Sequence, residues 1–600
     1  MSPIKEFFRV TKDFLALTPH VFFKPPKDSA KQSMGRLLQE TAAIYPDKPA
    51  ITFEGKELTW FEFNALVNQF AHLLKKQGVK RGETVALLME NRIEMLASQL
   101  ALAKIGAAAG LINTSLTGKA LIHCVSITAS SKFLIGEELM DNITQVKSQL
   151  NLKDQDYLWV KDVGQSQGPG TAFNMSAQIE HMPAHNPPET LDIRAGEKVC
   201  YIFTSGTTGL PKAAVIYHRR IIAGATPMSK MGLKSQQTDR IYLCLPLYHI
   251  TGLLAGVGAS LISGASIFMR RRFSASQFWP EVQQHQCTSF VYVGELCRYL
   301  SLQPPSQAEQ NNPLHTMLGN GLRPDLWDDF RNRFKVKRIC EIYGSSEGNV
   351  AFLNLLNKDK TIGTTTANIM LAKYDVDNDE LVRDKKGKLI EVKTGEAGLL
   401  LSEIDDKYQF DGYENQQATN SKVLLGVKKK SDRWFNTGDL IRKIDVGFAM
   451  GFDHYQFVDR TGDTFRWRAE NVSTNEVGET LNAHNQVDIA NVYGVAVAGA
   501  EGKAGMAALT LKKGESFDVS AFSEFVDQQL PAFARPVFLR LQQVAETTVT
   551  FKLLKGNLQK EAYHANSCQD PLYVLKPKSK QYELLDDTFY QQIMAGSAGY

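Results

Sequence analysis

This 600-residue sequence has few cysteines, little excess of charge of one sign and few long apolar runs. Its seven cysteines are odd in number and contain no C-x-x-C pair, which argues against a disulfide framework and against a structural zinc site. A reducing compartment fits this usage best, so we expect a cytoplasmic protein. The net charge of +4 lacks the concentrated basic excess of nucleic-acid-binding proteins, and we expect no nucleic-acid partner.

Membrane-spanning and secretory signals are also weak. The most apolar stretch, residues 241–269, is interrupted by Pro246, His249 and several glycines, and it predicts a loop, a Gly/Ala-rich helix and a buried strand. The first residues include Glu6 and Asp13 but no small-residue cleavage site, which makes a poor secretory signal. We therefore predict neither a membrane span nor a cleaved leader.

The N-terminal segment carries an apolar stripe among basic residues. The stripe consists of Ile4, Phe7, Phe8, Phe14 and Leu15, and the basic residues are Lys5, Arg9 and Lys12. This pattern is typical of an interfacial helix that lies on a membrane surface. It also suits a helix packed on its own domain, which is the favoured interpretation, and a peripheral membrane contact stays the alternative.

The middle of the sequence alternates between helix-like and strand-like segments. Predicted helices cover 33–45, 59–77 and 93–105, and predicted strands cover 85–89, 199–203, 241–245, 289–293 and 337–342. Thr59 followed by Glu62 predicts a capping box at the start of the second helix. Alternation of this kind predicts an α/β protein with largely parallel sheets flanked by helices.

The pattern changes in the last third of the chain. From about residue 380, charged turns separate the short apolar segments 389–393, 398–404 and 455–460, which predicts a β-rich subdomain. Residues 460–565 mix strands with a helix at 518–529 and predict a small, mobile α+β domain, whereas 566–600 show no strong period and predict a partly ordered tail. With an N-terminal segment of residues 1–30, this division leaves 31–459 as one large domain.

A loop of glycine and hydroxyl residues follows one of the predicted strands. It consists of Thr204, Ser205, Gly206, Thr207, Thr208 and Gly209, and the chain leaves it through Pro211 and Lys212 into a second strand, 213–217. Unobstructed backbone N–H groups, hydroxyls and an ammonium group suit an anionic polyphosphate. The spacing is not that of a Walker loop, and such a run taken alone is more often a surface hairpin.

Four motifs, in order along the chain, resemble the adenylate-forming superfamily of acyl-CoA synthetases, peptide-synthetase adenylation domains and luciferase. They are TSGTTGLPK at 204–212, GNGLRPDLW at 319–327, YGSSEGN at 343–349 and DTFRWRAENV at 463–472. The likeness covers roughly residues 35–565 and is to the very-long-chain acyl-CoA synthetase / fatty-acid transport protein branch. It implies a ligase that uses ATP, Mg²⁺ and CoA to convert a long- or very-long-chain fatty acid, through an acyl-adenylate, into acyl-CoA.

The resemblance also implies which residues bind and react. Nucleotide binding is implied for Thr204, Ser205, Gly206, Thr207, Thr208, Gly209, Lys212, Gly319, Asn320, Gly321, Tyr343, Gly344, Ser345, Ser346, Asp439, Arg460 and Lys552. Catalytic roles are implied for Lys552, Glu347, Thr208, Lys212 and His249, and Glu347 and Thr208 are the implied magnesium ligands.

Individual roles follow from the same likeness. Asp439 would accept hydrogen bonds from the ribose hydroxyls, and Gly462 falls at the hinge to the small domain. Lys552 would neutralise charge between the carboxylate and the α-phosphate, and Lys555, three residues on, is the alternative. His249 would line the acyl pocket, although an ordinary packed histidine is an equal interpretation.

The sequence departs from the family pattern in ways that keep other functions open. Ser346 stands where threonine is usual, and Val549 and Ala469 stand where glycine is usual. Because Ala469 falls in the region that borders the CoA path, a second hypothesis is transfer of the acyl group to another acceptor. A third hypothesis, from the N-terminal stripe, is a membrane-associated fatty-acid uptake component.

Large residues in 289–300 are candidates for the acyl pocket, with ordinary core as the alternative.

Overall fold

The computed structural model describes residues 3–21, 23–164, 172–204, 210–376, 378–467, 470–548, 553–564 and 566–600. Within these ranges, no helix combines the length and the apolar character needed to cross a membrane. Each of the seven cysteines is buried as a free thiol, as the odd count and the spacing predicted.

Two large sheets form the body of the first 360 residues. The first consists, in spatial order, of Ala351–Leu353, Arg338–Gly344, Thr316–Asn320, Ser289–Val293, Arg240–Leu243, Ser266–Met269, Pro49–Phe53 and Lys56–Thr59. The second consists of Phe173–Asn174, Tyr157–Val160, Lys132–Gly136, Thr84–Leu88, Ala108–Leu111, Lys198–Thr204 and Lys212–Tyr217. Neighbouring strands run parallel except in the edge hairpins. The carboxyl ends of the parallel strands therefore meet along one edge, where ligands bind in such sheets.

Helices connect and cover the strands. They span Pro3–Val21, Met34–Ile44, Trp60–Lys76, Ile93–Ile105, Gly118–Ile127, Met140–Thr144, His218–Pro227, Ala259–Ser263, Ala275–Gln284, Gly294–Ser301, Gln307–Gln310, Pro324–Phe334, Gln416–Asn420, Thr474–Asn482, Val519–Gln529, Gly556–Glu561 and Asp587–Met594. Two π-helical stretches, Met228–Leu233 and Gly252–Gly258, continue the seventh of these helices and lead into the eighth. The predicted loop, helix and buried strand within 241–269 are thus confirmed.

Local signals set the ends of the first helices. Thr59 Oγ1 accepts a hydrogen bond from Glu62 N at 3.2 Å, and Glu62 Oε2 accepts one from Thr59 N at 2.8 Å, so the predicted capping box is present. The helix Ile93–Ile105 is buried around almost its whole circumference, which its apolar sequence requires, and it ends at Gly106 with φ of 74°.

The β-rich subdomain is an antiparallel sheet. Its strands are Ile369–Ala372, Ala397–Glu403, Arg433–Ile444, Val423–Leu425 and His454–Arg460, and a short pair, Tyr374–Asp375 with Glu380–Leu381, stands beside it. The predictions at 398–404 and 455–460 are confirmed, whereas the strand predicted at 389–393 is wrong. Leu389 bridges to one neighbour and Glu391 to another, so this segment crosses between strands instead of pairing along one.

The C-terminal residues form a separate sheet with its own core. Its strands are Val487–Ala496, Lys503–Leu511, Phe538–Gln542, Leu572–Leu575 and Tyr582–Leu584, and the hairpin of Phe465–Trp467 with Glu470–Val472 precedes it. The partly ordered tail predicted for 566–600 is wrong, because its strands complete this sheet and its last helix buries Phe589 and Ile593. Strands of three or four residues carry too little period to be predicted without their distant partners. The boundary at 459/460 stays a prediction.

Candidate functional site

Most predicted site residues that the structure describes line one cavity of about 2390 Å³. They are Thr204, Lys212, His249, Asn320, Gly321, Tyr343, Gly344, Ser345, Ser346, Glu347, Asp439 and Arg460. Gly319 does not line it, and a Cβ there would lie 2.1 Å from the carbonyl oxygen of Tyr292, so close strand packing explains this glycine. The following residues lie outside the described part of the chain: Ser205, Gly206, Thr207, Thr208, Gly209, Ala469, Val549 and Lys552.

The strands on either side of the predicted phosphate loop form an antiparallel hairpin. Thr204 lies opposite Lys212 in the register, which brings both ends of the loop to the cavity. The strand predicted after the loop is confirmed as Lys212–Tyr217. Lys212 Nζ stands 5.5 Å from the ring centre of Tyr413, so a cation–π contact holds the ammonium group at the cavity wall.

Tyr413 comes from a distant segment that extends this hairpin. Backbone hydrogen bonds of 3.2 and 2.9 Å join residues 412–414 to the strand Lys212–Tyr217. The Tyr413 hydroxyl donates to Glu347 Oε1 at 2.8 Å, and burial raises the pKa of Tyr413, which keeps this hydroxyl a donor. Tyr413 therefore links the Lys212 cation to the Glu347 carboxylate.

Glu347 lies in the loop after the strand Arg338–Gly344 and is almost fully buried. Among the described residues, no donor contacts its second oxygen, Oε2. Arg220 supports the same loop, since its Nη2 donates to the Ser345 carbonyl oxygen at 2.9 Å. Burial lowers the pKa of Arg220, and the carboxylates of Asp411 and Glu347 oppose that shift, so a cation lies beside these acids.

The donor set around Glu347 fits Mg²⁺ that is bound together with a nucleotide. A carboxylate with one oxygen available is a hard ligand of the kind Mg²⁺ prefers, and this ion usually takes water and phosphate oxygens as its other ligands. Within the described ranges, no group of three or more His, Cys, Asp or Glu side chains could hold a metal by itself. A magnesium ion here would therefore depend on the phosphates of the nucleotide.

Tyr343, Asp439 and Arg460 form a second cluster in the cavity. The Tyr343 hydroxyl donates to Asp439 Oδ2 at 2.6 Å, and Arg460 Nε stands 3.6 Å from Asp439 Oδ1. Asp439 and Arg460 face each other on paired strands of the β-rich sheet. Burial raises the pKa of Asp439, although the Arg460 charge opposes this shift. The structure thus brings together three residues for which the resemblance implied nucleotide contacts.

The loop at Asn320 and Gly321, for which the resemblance implied nucleotide contacts, is shaped by a residue that the sequence did not single out. Glu341 is buried, and its carboxylate accepts hydrogen bonds from Gly321 N and Leu322 N, both at 2.9 Å, and from the Tyr292 hydroxyl at 2.6 Å. Gly321 has φ of 84°, which favours glycine. Burial raises the pKa of Glu341 to about 7 even though these donors oppose the shift.

We expect Glu341→Gln to change how stability depends on pH. In the wild type, the pKa of Glu341 is higher in the folded than in the unfolded chain, so its contribution to stability is fully present below about pH 4.5 and is lost as the pH rises to about 7. Glutamine does not titrate, and its one oxygen can replace only one of the two carboxylate oxygens that accept separately from Gly321 N and Leu322 N, so the variant should start from a lower stability but lack this dependence on pH.

The measurement is the urea unfolding midpoint of both proteins at pH 5 and pH 8. The wild type should lose stability relative to Glu341→Gln across this range, by an amount on the order of 3 kcal/mol. Other groups that titrate in this range cancel in the difference between the two proteins. An equal difference at both pH values would contradict the assignment.

One side of the C-terminal unit faces the cavity. Thr548, Leu553 and Lys555, which flank Lys552 in sequence, line it, whereas the described strands Phe465–Trp467 and Glu470–Val472 do not. Lys555 Nζ donates to Thr474 Oγ1 at 2.7 Å and stands 3.5 Å from Asp463 Oδ2, so it is held within the C-terminal unit.

The link between the β-rich sheet and the C-terminal unit passes through Gly462. This glycine is exposed, and no described atom lies within 4 Å of where its Cβ would stand. Packing therefore does not require glycine at this position, and we attribute the glycine to the backbone freedom that a hinge needs. Ion pairs between Arg298 and Asp488 and between Arg442 and Glu476 hold the present orientation.

An apolar wall continues the cavity away from these polar clusters. It is formed by Ala223, Gly224, Pro227, Met228, Met231, Ile250, Leu254, Val293, Leu353, Leu355, Leu356 and Phe452. His249 lies at this wall, which agrees with the predicted position beside an acyl pocket. Of the large residues in 289–300, most are ordinary core, and Val293, Glu295 and Arg298 are the ones that reach the cavity.

Sequence patterns gave no signal for several cavity residues. Tyr413, Arg220 and Lys422 all line the cavity, and burial lowers the pKa of Lys422 while the charges of Glu347 and Asp439 oppose the shift. Each lies in a segment whose local pattern is unremarkable, and only the fold brings it to the predicted motifs. Because buried carboxylates usually have hydrogen-bond partners, a partner for Glu347 could be expected, but the sequence does not show that it is Tyr413.

Comparisons with known proteins agree with this geometry. Residues 38–394 match the family model described as AMP-binding enzyme. The chain is 37% identical to the medium/long-chain-fatty-acid–CoA ligase FadD6 of Mycobacterium tuberculosis, over 93% of this chain and 90% of that protein. It is 36% identical to the long-chain fatty acid transport protein 6 of Homo sapiens, over 92% of this chain and 88% of that protein.

Solved structures show the same fold. The anthranilate CoA ligase AuaEII in complex with anthranoyl-AMP matches with a TM-score of 0.75 at 20% identity, over 90% of this chain and 98% of that chain. A benzoate CoA ligase from Burkholderia xenovorans matches with a TM-score of 0.72, also at 20% identity, over 88% of this chain and all of that one. The predicted α/β class is therefore confirmed.

Proposed function

The chain belongs to the AMP-binding enzyme family, and on that premise we propose that it is an AMP-forming fatty acid–CoA ligase. It would convert a medium- to very-long-chain fatty acid, ATP and CoA into acyl-CoA, AMP and diphosphate through an acyl-adenylate. The observation that carries the proposal is one cavity that joins the Lys212–Tyr413–Glu347 and Tyr343–Asp439–Arg460 clusters to a long apolar wall.

In the first step, the fatty acid carboxylate attacks the α-phosphorus of ATP and diphosphate leaves. Charge develops on the phosphoryl oxygens, so the protein contributes positioned cations and donors and does not form a covalent bond itself. Lys212 and the loop from Thr204 would bind the phosphates, and Asp439 would accept hydrogen bonds from the ribose hydroxyls. Lys552 would neutralise the charge that develops between the carboxylate and the α-phosphate.

Magnesium would bind beside Glu347, with Thr208 as the second protein ligand that the resemblance implies. When bound, Mg²⁺ would neutralise negative charge on the nucleotide phosphates. The hydrogen bond from Tyr413 orients the Glu347 carboxylate and leaves its second oxygen for the ion. Arg220 fixes the loop that carries Glu347 through the Ser345 carbonyl.

In the second step, the CoA thiol attacks the acyl-adenylate carbonyl and AMP leaves. We propose that the part of the chain after Gly462 turns about this glycine between the two steps, which withdraws Lys552 and brings the hairpin of Phe465–Trp467 to the cavity. Support comes from the present orientation, in which Thr548, Leu553 and Lys555 line the cavity and that hairpin does not. The division of the chain into 31–459 and a mobile C-terminal unit belongs to this proposal.

The test incubates purified protein with ATP, Mg²⁺, CoA and a series of acids from acetate to very-long-chain acids. We expect AMP and acyl-CoA in equal amounts with long-chain acids such as palmitate. AMP-forming activity without acyl-CoA would favour the alternative of an acyl-adenylate ligase with another acceptor. No AMP from any acid would contradict both.

We also propose that the N-terminal helix touches a lipid surface. Ile4 and Phe8 are 71% and 67% exposed, and Phe7 packs against Phe448 with ring centres 4.8 Å apart, so an apolar patch faces outward. The exposed Lys12 on the same helix suits anionic lipid headgroups. This contact would bring the enzyme to fatty acids in the membrane. Conversion of these acids into acyl-CoA would then promote fatty-acid uptake.

The combined change Ile4→Ser and Phe8→Ser should weaken binding to vesicles that contain anionic lipid. Loss of two apolar side chains from the interface should lower the binding constant at least about tenfold. Co-sedimentation of wild type and variant with anionic and with zwitterionic vesicles measures this, and Leu425→Ser, 73% exposed on the β-rich sheet, is the matched control. A wild type that stays in the supernatant with both vesicle types would contradict the contact.

A further inference from the structure

The N-terminal helix, Pro3–Val21, is tied to the large domain by polar contacts along one side. Lys358, which is buried, donates to Glu6 at 2.5 Å, Arg9 donates to the Leu356 carbonyl oxygen at 2.9 Å, and Lys234 donates to Asp13 at 2.9 Å. These anchors lie far from the helix in sequence. The helix is therefore a fixed part of the large domain in this structure.

The inner face of this helix is apolar and faces the cavity. Val10 and Leu17 are buried in one cluster with Leu356, and Phe14 and Met231 pack against that cluster. Phe14 and Leu17 also line the cavity that contains the candidate active site. The exposed residues Ile4 and Phe8 lie on a different side of the helix, whereas Phe7, seven residues before Phe14, lies at the edge of the inner face.

One helix connects the chemical end of the cavity with the N-terminal helix. The helical stretch from His218 through Leu233 begins beside the loop that carries Glu347, where Arg220 contacts Ser345. Near its other end, Met231 packs against the cluster under the N-terminal helix. Arg220 and Met231 are eleven residues apart, which is at most about 16 Å at the α-helical rise, since the π-helical end of the stretch rises less. Ala223, Pro227 and Met231, spaced four apart, present one face to the cavity between them.

We propose that the N-terminal helix is the end wall of the acyl site, and that Phe14 and Leu17 limit the length of the acid. This inference rests on the proposed fatty acid–CoA ligase function and adds the element that sets its substrate range. The carboxylate end of the acid would lie near Glu347, and the chain would follow the apolar wall toward the N-terminal helix. The methyl end would meet Phe14, Leu17 and Met231, where the flexible methionine side chain adapts to the chain end.

The test compares how kcat/KM for acyl-CoA formation depends on acid length in wild type, Phe14→Ala and Leu17→Ala. Smaller side chains should shift the longest well-used acid to longer chains, with a gain of about fourfold in kcat/KM for each methylene newly accommodated. Octanoate, which is too short to reach this end, should be used equally well by all three proteins. Phe61→Ala is the matched control and should keep the wild-type profile, because Phe61 is an exposed phenylalanine on the helix Trp60–Lys76 and does not line the cavity.

A change in the opposite direction keeps the inference testable if Leu17→Ala unfolds. Phe14→Trp should shorten the preferred acid, because Phe14 is only partly buried and the larger ring can extend into the cavity. An active Phe14→Ala or Phe14→Trp enzyme with an unchanged length profile would overturn the inference while leaving the ligase function standing. A wild type that activates no acid, octanoate included, would instead overturn the ligase function, and the end wall with it.

Discussion

Glu347→Gln should lower kcat for acyl-adenylate formation by about 10²–10³-fold, the usual range for removal of one positioned electrostatic group. The amide oxygen can still accept the hydrogen bond from Tyr413, which is 2.8 Å long in the wild type, so the loop should keep its shape. What is lost is the negative charge that holds Mg²⁺ beside the phosphates. We therefore expect the Mg²⁺ concentration for half-maximal activity to rise along with the loss in kcat.

The measurement is the initial rate of adenylate formation as a function of Mg²⁺ concentration. Glu414→Gln is the matched control, because Glu414 neighbours Tyr413 in sequence but pairs with Lys198 and does not line the cavity. It should leave both kcat and the Mg²⁺ response within about twofold of wild type, as expected for an exposed ion pair. A Glu347→Gln enzyme with normal kcat and a normal Mg²⁺ response would show that Glu347 does not bind the metal.

Lys552→Ala should separate the two half-reactions. Loss of the ammonium group should slow adenylation by about 10²–10³-fold, because this cation would neutralise charge that develops only in that step. Thioester formation from supplied acyl-adenylate and CoA should stay within a few-fold of wild type, because the proposed domain rotation withdraws Lys552 before CoA reacts. Lys552 lies outside the described residues, and its role is a proposal from the motif alone.

Lys555→Ala is the control for this separation. Lys555 Nζ is engaged with Thr474 and Asp463 inside the C-terminal unit, so its loss should affect adenylation by less than about tenfold. Selective loss of adenylation in Lys555→Ala, with a normal Lys552→Ala enzyme, would exchange the two assignments. Equal loss of both half-reactions in Lys552→Ala would mean that this lysine supports the structure and not the chemistry.

Features with a local cause were predictable from the sequence. The capping box of Thr59 and Glu62 needs only residues three apart, and the strands Ser289–Val293 and Arg338–Gly344 are short apolar runs with turn signals beside them. The strand predicted at 389–393 failed because Leu389 and Glu391 bridge to two different neighbours. The end of the chain was misjudged because Leu572–Leu575 pairs with the strand Phe538–Gln542, and the paired residues are 32 to 36 positions apart.

The partners inside the site could not be predicted from the sequence. Tyr413 and Glu347 are 66 residues apart, and Arg220 and Ser345 are 125 residues apart. No local pattern encodes such contacts, because they form only when segments that are distant in sequence pack together. The same reason hid Glu341, whose role in holding Gly321 and Leu322 depends on three neighbouring strands. The motif residues themselves were found because their spacing along the chain is short.

The proposed activity depends above all on this cavity joining a fatty acid to AMP. It is tested most directly by exchange of labelled diphosphate into ATP, measured with Mg²⁺ and without CoA, in the presence and absence of palmitate. We expect exchange that requires palmitate and that falls about 10²–10³-fold in Glu347→Gln. No exchange with any acid in a series from acetate to very-long-chain acids would contradict formation of an acyl-adenylate in this cavity.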